Sequence, residues 1–379
     1  MPPSRDLDAE LAALPSEART TLERYHFDAA RFRELAARVA SNSLEDNTVS
    51  GKIEPPRADD VRALPEAGSA EAERLRELGR AELTAGRVAL VVLAGGMATR
   101  MGGVVKALVP ALDGHTFLDL RLREIETLRE RYGSAPPLWL MASNATEEPL
   151  RAALGEHLDG DRVAVFSQFV SLRLTPSGEI FLDADGQPSE HASGHGDLPE
   201  ALQKSGLIQR FVERGGRVVL VTNLDNLGGT LDPLLIGWHL DQGAAVTSEV
   251  VDKLENDRGG IPVRVDGELC VLEEFRIPSS FDPATVRVFN TNTFHFDARQ
   301  LAELRIPWTF FRVKKKVGDR EVIQFERLIN EVTSHLETRY LHVPRTGPGA
   351  RFLPVKDNAE LAARRGEIEL VARARGWLS

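Results

Sequence analysis

The chain has 379 residues, 42% hydrophobic and 27% charged, and a formal net charge of −10 at pH 7. That length suffices for one large or two ordinary domains with a sizeable core, and the acidic balance excludes a general nucleic-acid binder, which needs a basic surface. Cys270 is the only cysteine, which excludes an intramolecular disulfide and a thiol-rich zinc site. The first forty residues are broken up by Asp, Glu and Arg, so they do not read as a secretory leader. No apolar run nears the ~20 residues of a bilayer span, and a cytoplasmic protein without membrane partners is expected.

Residues 1 to about 45 read as helical, because LDAELAAL and AARFRELAARVA space their apolar residues three to four apart. GKIEPPRADDVRALPEAGS (51–69) is rich in Pro and short polar residues and reads as an extended segment over a surface. EAERLRELGRAELTAG (71–86) is an amphipathic helix ended by glycine. From Val88 strands and helices alternate: VALVVL as a strand, FLDLRLREIETLRERYG (117–133) as a helix, LWLMAS (138–143) as a strand, TEEPLRAALG (146–155) as a helix and VAVF (163–166) as a strand. LPEALQKSGLIQRFVERGG (198–216) follows as one helix and RVVLVTNLDN (217–226) as a strand. Uninterrupted apolar strands alternating with helices predict an α/β fold with a Rossmann-like, mainly parallel sheet covered on both faces. SLRLTPSGEIFLDADG (171–186) and IPVRVDGELCVLEEF (261–275) read as inserted hairpins, and LAARRGEIELVARARG near the end as a helix. The expected division is a helical and extended segment packing on the core (1–86), an α/β domain (87–345), and a C-terminal loop and helix (346–379).

The stretch VALVVLAGGMATRMGGVVK, Val88 to Lys106, runs a buried strand into a Gly-rich turn and a lysine. A P-loop would need Gly-x4-Gly-Lys-Ser/Thr, and a dinucleotide turn Gly-x-Gly-x-x-Gly; Gly95, Gly96, Gly102 and Gly103 fit neither. They do fit a longer loop whose backbone N–H groups wrap a triphosphate, with a distal lysine closing over it. Taken alone, the run is equally compatible with a tight structural turn.

Further along, MASNAT (141–146), FSQ (166–168), GHGDL (194–198), TNLDNL (222–227), EVVDKLENDRGG (249–260), VLEEFRIP (271–278), FNTNTFHF (289–296), VIQFE (322–326) and VPRTGPGARFLPVK (343–356) follow in order. With LAGGMATRMGGVVK, this collinear set resembles the UDP-sugar pyrophosphorylase family, most closely its UTP–glucose-1-phosphate uridylyltransferases, over about residues 50 to 370. The resemblance implies a GT-A-like nucleotidyltransferase fold and the formation of UDP-glucose and pyrophosphate from UTP and glucose 1-phosphate with Mg²⁺. A relative acting on another sugar, such as N-acetylglucosamine 1-phosphate, is the nearest alternative, and a nucleotide-sugar-binding regulator without catalysis is a rival of another class. Ala98 stands where the family's loop usually has Gly, and would be strained if that position needs positive φ. Val105 replaces the family's proline before the lysine. The chain ends too soon for the family's C-terminal β-helical domain, so oligomers built through it are expected to be absent, leaving a monomer or small homo-oligomer.

By the same resemblance, Lys106 and Lys356 flank the reacting phosphates and Asp225 holds the metal, a hard cation preferring oxygen. Ala94, Gly95, Gly96, Thr99 and Arg100 would wrap the nucleotide. Gln168 can read uracil through its amide, with Gly194 and His195 beside the base. Asn223, Gly260, Glu273, Asn290 and Asn292 would meet the sugar or its phosphate. Asn290 and Asn292 could instead satisfy backbone groups at a strand end; Arg345 and Lys253 are weaker active-site candidates that could instead serve as ion-pair partners, and Lys314-Lys315-Lys316 reads as a solvated face. His191 and His195 are four apart, but no further ligands cluster near them to make a metal site.

Overall fold

The computed structural model describes residues 7–41, 47–98 and 101–378. The expected nucleotide contacts Thr99 and Arg100 and the helical reading of residues 1–6 and 42–46 lie outside the described residues. The centre is an eight-stranded sheet of β1 (Val61–Ala63), β2 (Val88–Leu93), β3 (Leu138–Ala142), β4 (Val163–Ser167), β5 (Val218–Asn223), β6 (Val246–Asp252), β7 (Val288–Asp297) and β8 (Thr338–His342). Across the sheet they lie in the order β1-β8-β6-β7-β5-β2-β3-β4. All run parallel to their neighbours except β7, which is antiparallel to both β6 and β5. The expected mainly parallel α/β architecture is therefore present.

β2 reads as a continuous apolar run because both of its faces are covered. Leu90 and Val92 enter a core with Phe117, Leu120 and Ile368, from the helices Phe117–Tyr132 and Asn358–Arg375. Ala89 and Val91 point the other way, into a core with Leu202, Ile208 and Leu301. Alternate burial in two cores is the period-two signature of a strand with no solvent face.

Several expectations need correction. The single helix over 198–216 is two, Leu198–Lys204 and Leu207–Glu213, because Gly206 between them takes φ +72°. The 171–186 stretch is not a regular hairpin: Val170–Leu172 pairs with Glu190–Ala192, and the chain between makes only isolated bridges, Leu174 with Ile180 and Leu182 with Pro188. Prolines at 176 and 188 cannot donate to a longer ladder. The 51–69 segment is more than a surface wrap, since β1 extends the main sheet beside β8. The hairpin Phe311–Val317/Arg320–Glu326 went unread, because the Lys314–Lys316 run masks its alternation. The 261–275 hairpin is as expected, Gly260–Val265 against Glu268–Glu273 across Asp266 and Gly267. Those two residues have φ +50° and +91°, the positive pair that a two-residue type I′ turn requires. Among the described residues no helix is long and apolar enough to cross a membrane.

The helices Ala70–Thr84 and Pro233–Gln242 cross at two bare backbones. A methyl group added at Gly79 would sit 1.9 Å from the Pro233 carbonyl oxygen, and one at Gly237 would sit 1.8 Å from that of Leu75. Gly79→Ala therefore has to part the helices, and overpacking of this kind costs about 1–3 kcal/mol or more. Thermal unfolding should show a melting temperature lower by several degrees. An unchanged melting temperature would disprove the close crossing.

Candidate active site

Because the strands other than β7 run parallel, their carboxyl ends share one rim, where open α/β sheets place their ligands. β7 runs against them, so its first residues reach the same rim: Val250 of β6 pairs with Asn290, and Asn292 lies beyond the Val221–Phe294 pair toward the end of β5. The turn after β5 carries Asp225, the chain after β2 is the Gly-rich loop, and Gln168 follows β4.

The loop leaves the sheet at Ala94 and Gly95, whose carbonyls accept hydrogen bonds from Thr146 Oγ1 (3.1 Å) and Ser143 Oγ (3.0 Å). Met97–Ala98 and Val104–Val105 form a two-rung antiparallel ladder. Ala98 is buried at ordinary negative φ, whereas Gly102 and Gly103 take φ +92° and +73°. The feared strain at Ala98 is thus absent, because the left-handed positions fall later in the loop. A methyl group at Gly95 would lie 3.1 Å from the Gln168 amide nitrogen, so this glycine lets Gln168 lie across the start of the loop.

The loop ends at Lys106, whose Nζ donates to Asp225 Oδ2 at 2.7 Å, both side chains largely buried. The Val355 N–H donates to the same oxygen at 3.2 Å, which brings the chain before Lys356 to Asp225; Lys356 itself is exposed. Asn223 Oδ1 accepts from Asn292 Nδ2 at 2.9 Å. Asn292 holds φ +56°, a conformation Asn tolerates better than most residues, and one that marks functional sites when surrounding contacts enforce it. Asn290 is buried with its Oδ1 accepting from Ser248 Oγ and the Asn292 N–H, both at 3.2 Å.

His195 Nδ1 accepts from the Ile329 N–H at 3.0 Å. Burial lowers the imidazole to about 4, so the ring is neutral at pH 7 and its remaining proton sits on Nε2. The wholly buried Asp197 joins the two halves of this region, accepting from the Phe169 N–H (2.9 Å), Ser193 Oγ (2.7 Å) and Arg327 Nε (2.8 Å). Gly260 pairs with Glu273 across the hairpin. Glu273 Oε1 accepts from Asn330 Nδ2 at 2.8 Å. Burial pushes the Glu273 carboxyl up to about 7, with Asn330 and the Arg276 charge opposing the rise.

The weaker candidates resolve as structural partners. Arg345 forms a two-pronged pair with Asp257, both contacts 2.8 Å, and Lys253 Nζ donates to the Pro283 carbonyl at 2.7 Å. A large concavity, about 830 Å³, lies away from the rim between β1, β8 and the hairpin, lined by side chains of both signs such as Arg62 and Glu268. It lacks the glycine loop and the lysine–aspartate pair, so size alone does not locate the chemistry.

The sequence reading missed the buried polar groups behind the rim: Arg121, Asn226, Glu249 and Arg351, all under 3% exposed. A signal existed for Arg121, which falls on the apolar stripe with Leu118, Ile125 and Leu128. A charge on the buried face of a helix must have partners.

A family model described as UTP–glucose-1-phosphate uridylyltransferase matches residues 29–369. The UTP–glucose-1-phosphate uridylyltransferase of Encephalitozoon cuniculi is 30% identical over 316 residues, covering 79% of this chain and 60% of the relative. That of Saccharomyces cerevisiae is 28% identical over 335 residues, covering 82% and 64%. The chain thus spans somewhat under two thirds of these relatives' length. Among solved structures, a mutant UDP-glucose pyrophosphorylase from Leishmania major in complex with UDP-glucose is 25% identical, covering 93% of this chain and 80% of that one, with TM-score 0.70. Built on this rim and matched over most of its length, the chain belongs to the UTP–glucose-1-phosphate uridylyltransferase family.

Proposed function

We propose that this protein transfers a uridylyl group from UTP to a sugar 1-phosphate, with glucose 1-phosphate as the sugar substrate and pyrophosphate as the second product. The observation that carries the reading is the Lys106–Asp225 contact of 2.7 Å at the rim where the Gly-rich loop, Gln168 and the Asn223–Asn292 pair converge. The names of the curated relatives and of the UDP-glucose complex supply the substrates.

In this reading a phosphate oxygen of the sugar 1-phosphate attacks the α-phosphorus of UTP. The bond from that phosphorus to the oxygen bridging to the β-phosphate breaks, and its electron pair leaves with pyrophosphate. A phosphate monoester is mostly dianionic at neutral pH, its second pKa being about 6, so the nucleophile needs no general base. The difficulty is repulsion between two polyanions, and positioning with cationic stabilisation is what a site can offer. Lys106 steadies the charge growing on the departing pyrophosphate, and Lys356 approaches from the other side. Gln168 reads the uracil edge, and neutral His195 can donate from Nε2. Asn223, Asn290, Asn292, Glu273 and the Gly260 backbone meet the sugar.

Among the described residues no group of three His, Cys, Asp or Glu forms a ready-made metal cage. A single carboxylate at the rim suits Mg²⁺, which is commonly held by one or two carboxylates with substrate phosphates and water. Asp225 would hold it, and the ion would neutralise phosphate charge during the displacement.

Pyrophosphate release from UTP and Mg²⁺ with a panel of sugar 1-phosphates tests the reading, and no release with any of them refutes it. Lys106→Ala and Asp225→Ala should each lower kcat by at least ~100-fold; wild-type turnover in either would remove that residue from the mechanism. Glu273 yields a stability prediction. Its carboxyl titrates near 7 in the fold, above the usual 4.5. The fold therefore binds the proton more tightly than the unfolded chain, and this contribution, complete below about pH 4.5, is lost as pH rises to about 7. The melting temperature of Glu273→Gln relative to wild type should rise across that window and level off above it. A difference independent of pH would contradict the assignment.

A further inference from the structure

The turn Ile329–Ser334 touches both ends of the site. Its first residue donates its backbone N–H to His195 Nδ1, and its second, Asn330, donates a side-chain N–H to Glu273 Oε1 at 2.8 Å. Asn330 is 2% exposed. Its backbone is fixed as well: Thr333 Oγ1 donates to the Asn330 carbonyl at 2.7 Å and accepts from the Val271 N–H at 2.9 Å. That last contact ties the turn to the strand carrying Glu273. A methyl group at Gly260 would lie 3.1 Å from Glu273 Oε1 and 3.4 Å from Asn330 Nδ2, so the amide and the carboxylate meet over a bare backbone.

We propose that Asn330 is a positioning residue for sugar recognition: its amide pins one oxygen of Glu273, leaves the other for the hydroxyls of the sugar 1-phosphate, and thereby sets how sharply the site tells one hexose from its epimers. This rests on the uridylyl-transfer reading above. A carboxylate held by one fixed donor presents its second oxygen in a defined direction, whereas an unpinned one can turn to suit a hydroxyl of either configuration. The ionised form of Glu273 is the better acceptor, and the Asn330 N–H favours it. The charged groups around Glu273 are Arg276, which also favours ionisation, and Glu274, which opposes it; Asn330 is neutral, and the facing Gly260 brings no side chain.

The test is steady-state kinetics of the full chain with UTP, Mg²⁺ and either glucose 1-phosphate or galactose 1-phosphate, for wild type, Asn330→Ala and Asn330→Asp. In Asn330→Ala the KM for glucose 1-phosphate should rise about tenfold or more, and the preference between the two sugars should narrow. The KM for UTP should stay within about twofold, since the Asn330 amide bonds Glu273, on the side proposed for the sugar. The acidic limb of kcat/KM for the sugar phosphate should move to higher pH, because the ionised carboxylate has lost a donor; the substrate's own titration cancels between variants. Asn330→Asp, of nearly the same size, should show a larger shift, and it serves if the alanine variant does not fold. Active wild type with variants that lose only thermal stability, the KM split and the pH limb unmoved, overturns the proposal and leaves the reading intact. Wild type that turns over neither these nor any other sugar 1-phosphate overturns both.

Discussion

One buried guanidinium anchors the rim. Arg121, in the second turn of the helix Phe117–Tyr132, has no solvent access. It donates to the carbonyls of Asn223 (3.2 Å), Asn226 (2.7 Å) and Gly229 (2.9 Å) and pairs with Glu124 at 2.8 Å. A charge removed from water needs partners. The two terminal nitrogens of the Arg121 fork find theirs in Glu124 and the turn after β5, while Nε stays unpartnered; the fork thereby holds that turn in place, and Asp225 rides on it.

The same turn is laced to the end of the chain. Asn226 donates to the Arg351 carbonyl at 3.0 Å and accepts from the Leu353 N–H at 2.8 Å. Arg351 is held by Glu249 at 2.8 Å and donates to the Thr230 carbonyl at 2.9 Å. Burial works against ionisation of Glu249, but Arg351 and His295 hold its carboxyl down to about 2. Arg375, from the last helix, donates to the carbonyls of Leu227 (2.8 Å) and Ala350 (2.9 Å). These contacts bring Val355, the residue before Lys356, to Asp225, the partner of Lys106. Such rigidity behind the rim suits chemistry that depends on placement more than on proton transfer.

The division of labour along the rim is electrostatic. Lys106 and Asp225 pair at the centre, where the proposed reading sets the phosphates. Neutral His195 and Gln168 stand on the side proposed for the base. Glu273, on the side proposed for the sugar, is raised by burial to about 7, so its ionised, hydroxyl-accepting form is in balance with the neutral one near pH 7.

Local signals specified the elements whose residues also decide their burial. VALVVL, LWLMA and VVLVT are continuous apolar runs and became central strands. Asp266-Gly267 dictated its hairpin, since few residue pairs accept two positive φ angles in succession. The Gly-rich turn after β2 was legible for the same reason, since close backbone approach leaves its mark on composition, whereas Asp225 was singled out by resemblance; the structure brings it to Lys106. What tertiary structure alone decided is partnership. No local pattern could tell that β7 would run against the sheet and bring Asn290 and Asn292 to the rim, that Gly206 would split a helix, or that Arg345 would be taken by Asp257. Nor could any announce that Asn330 would find Glu273, or Arg121 the carbonyls of a turn a hundred residues away. Periodicity and glycine report what a residue's own backbone requires, whereas the partner of a buried polar group is chosen by whichever distant segment the packed core brings within hydrogen-bond reach.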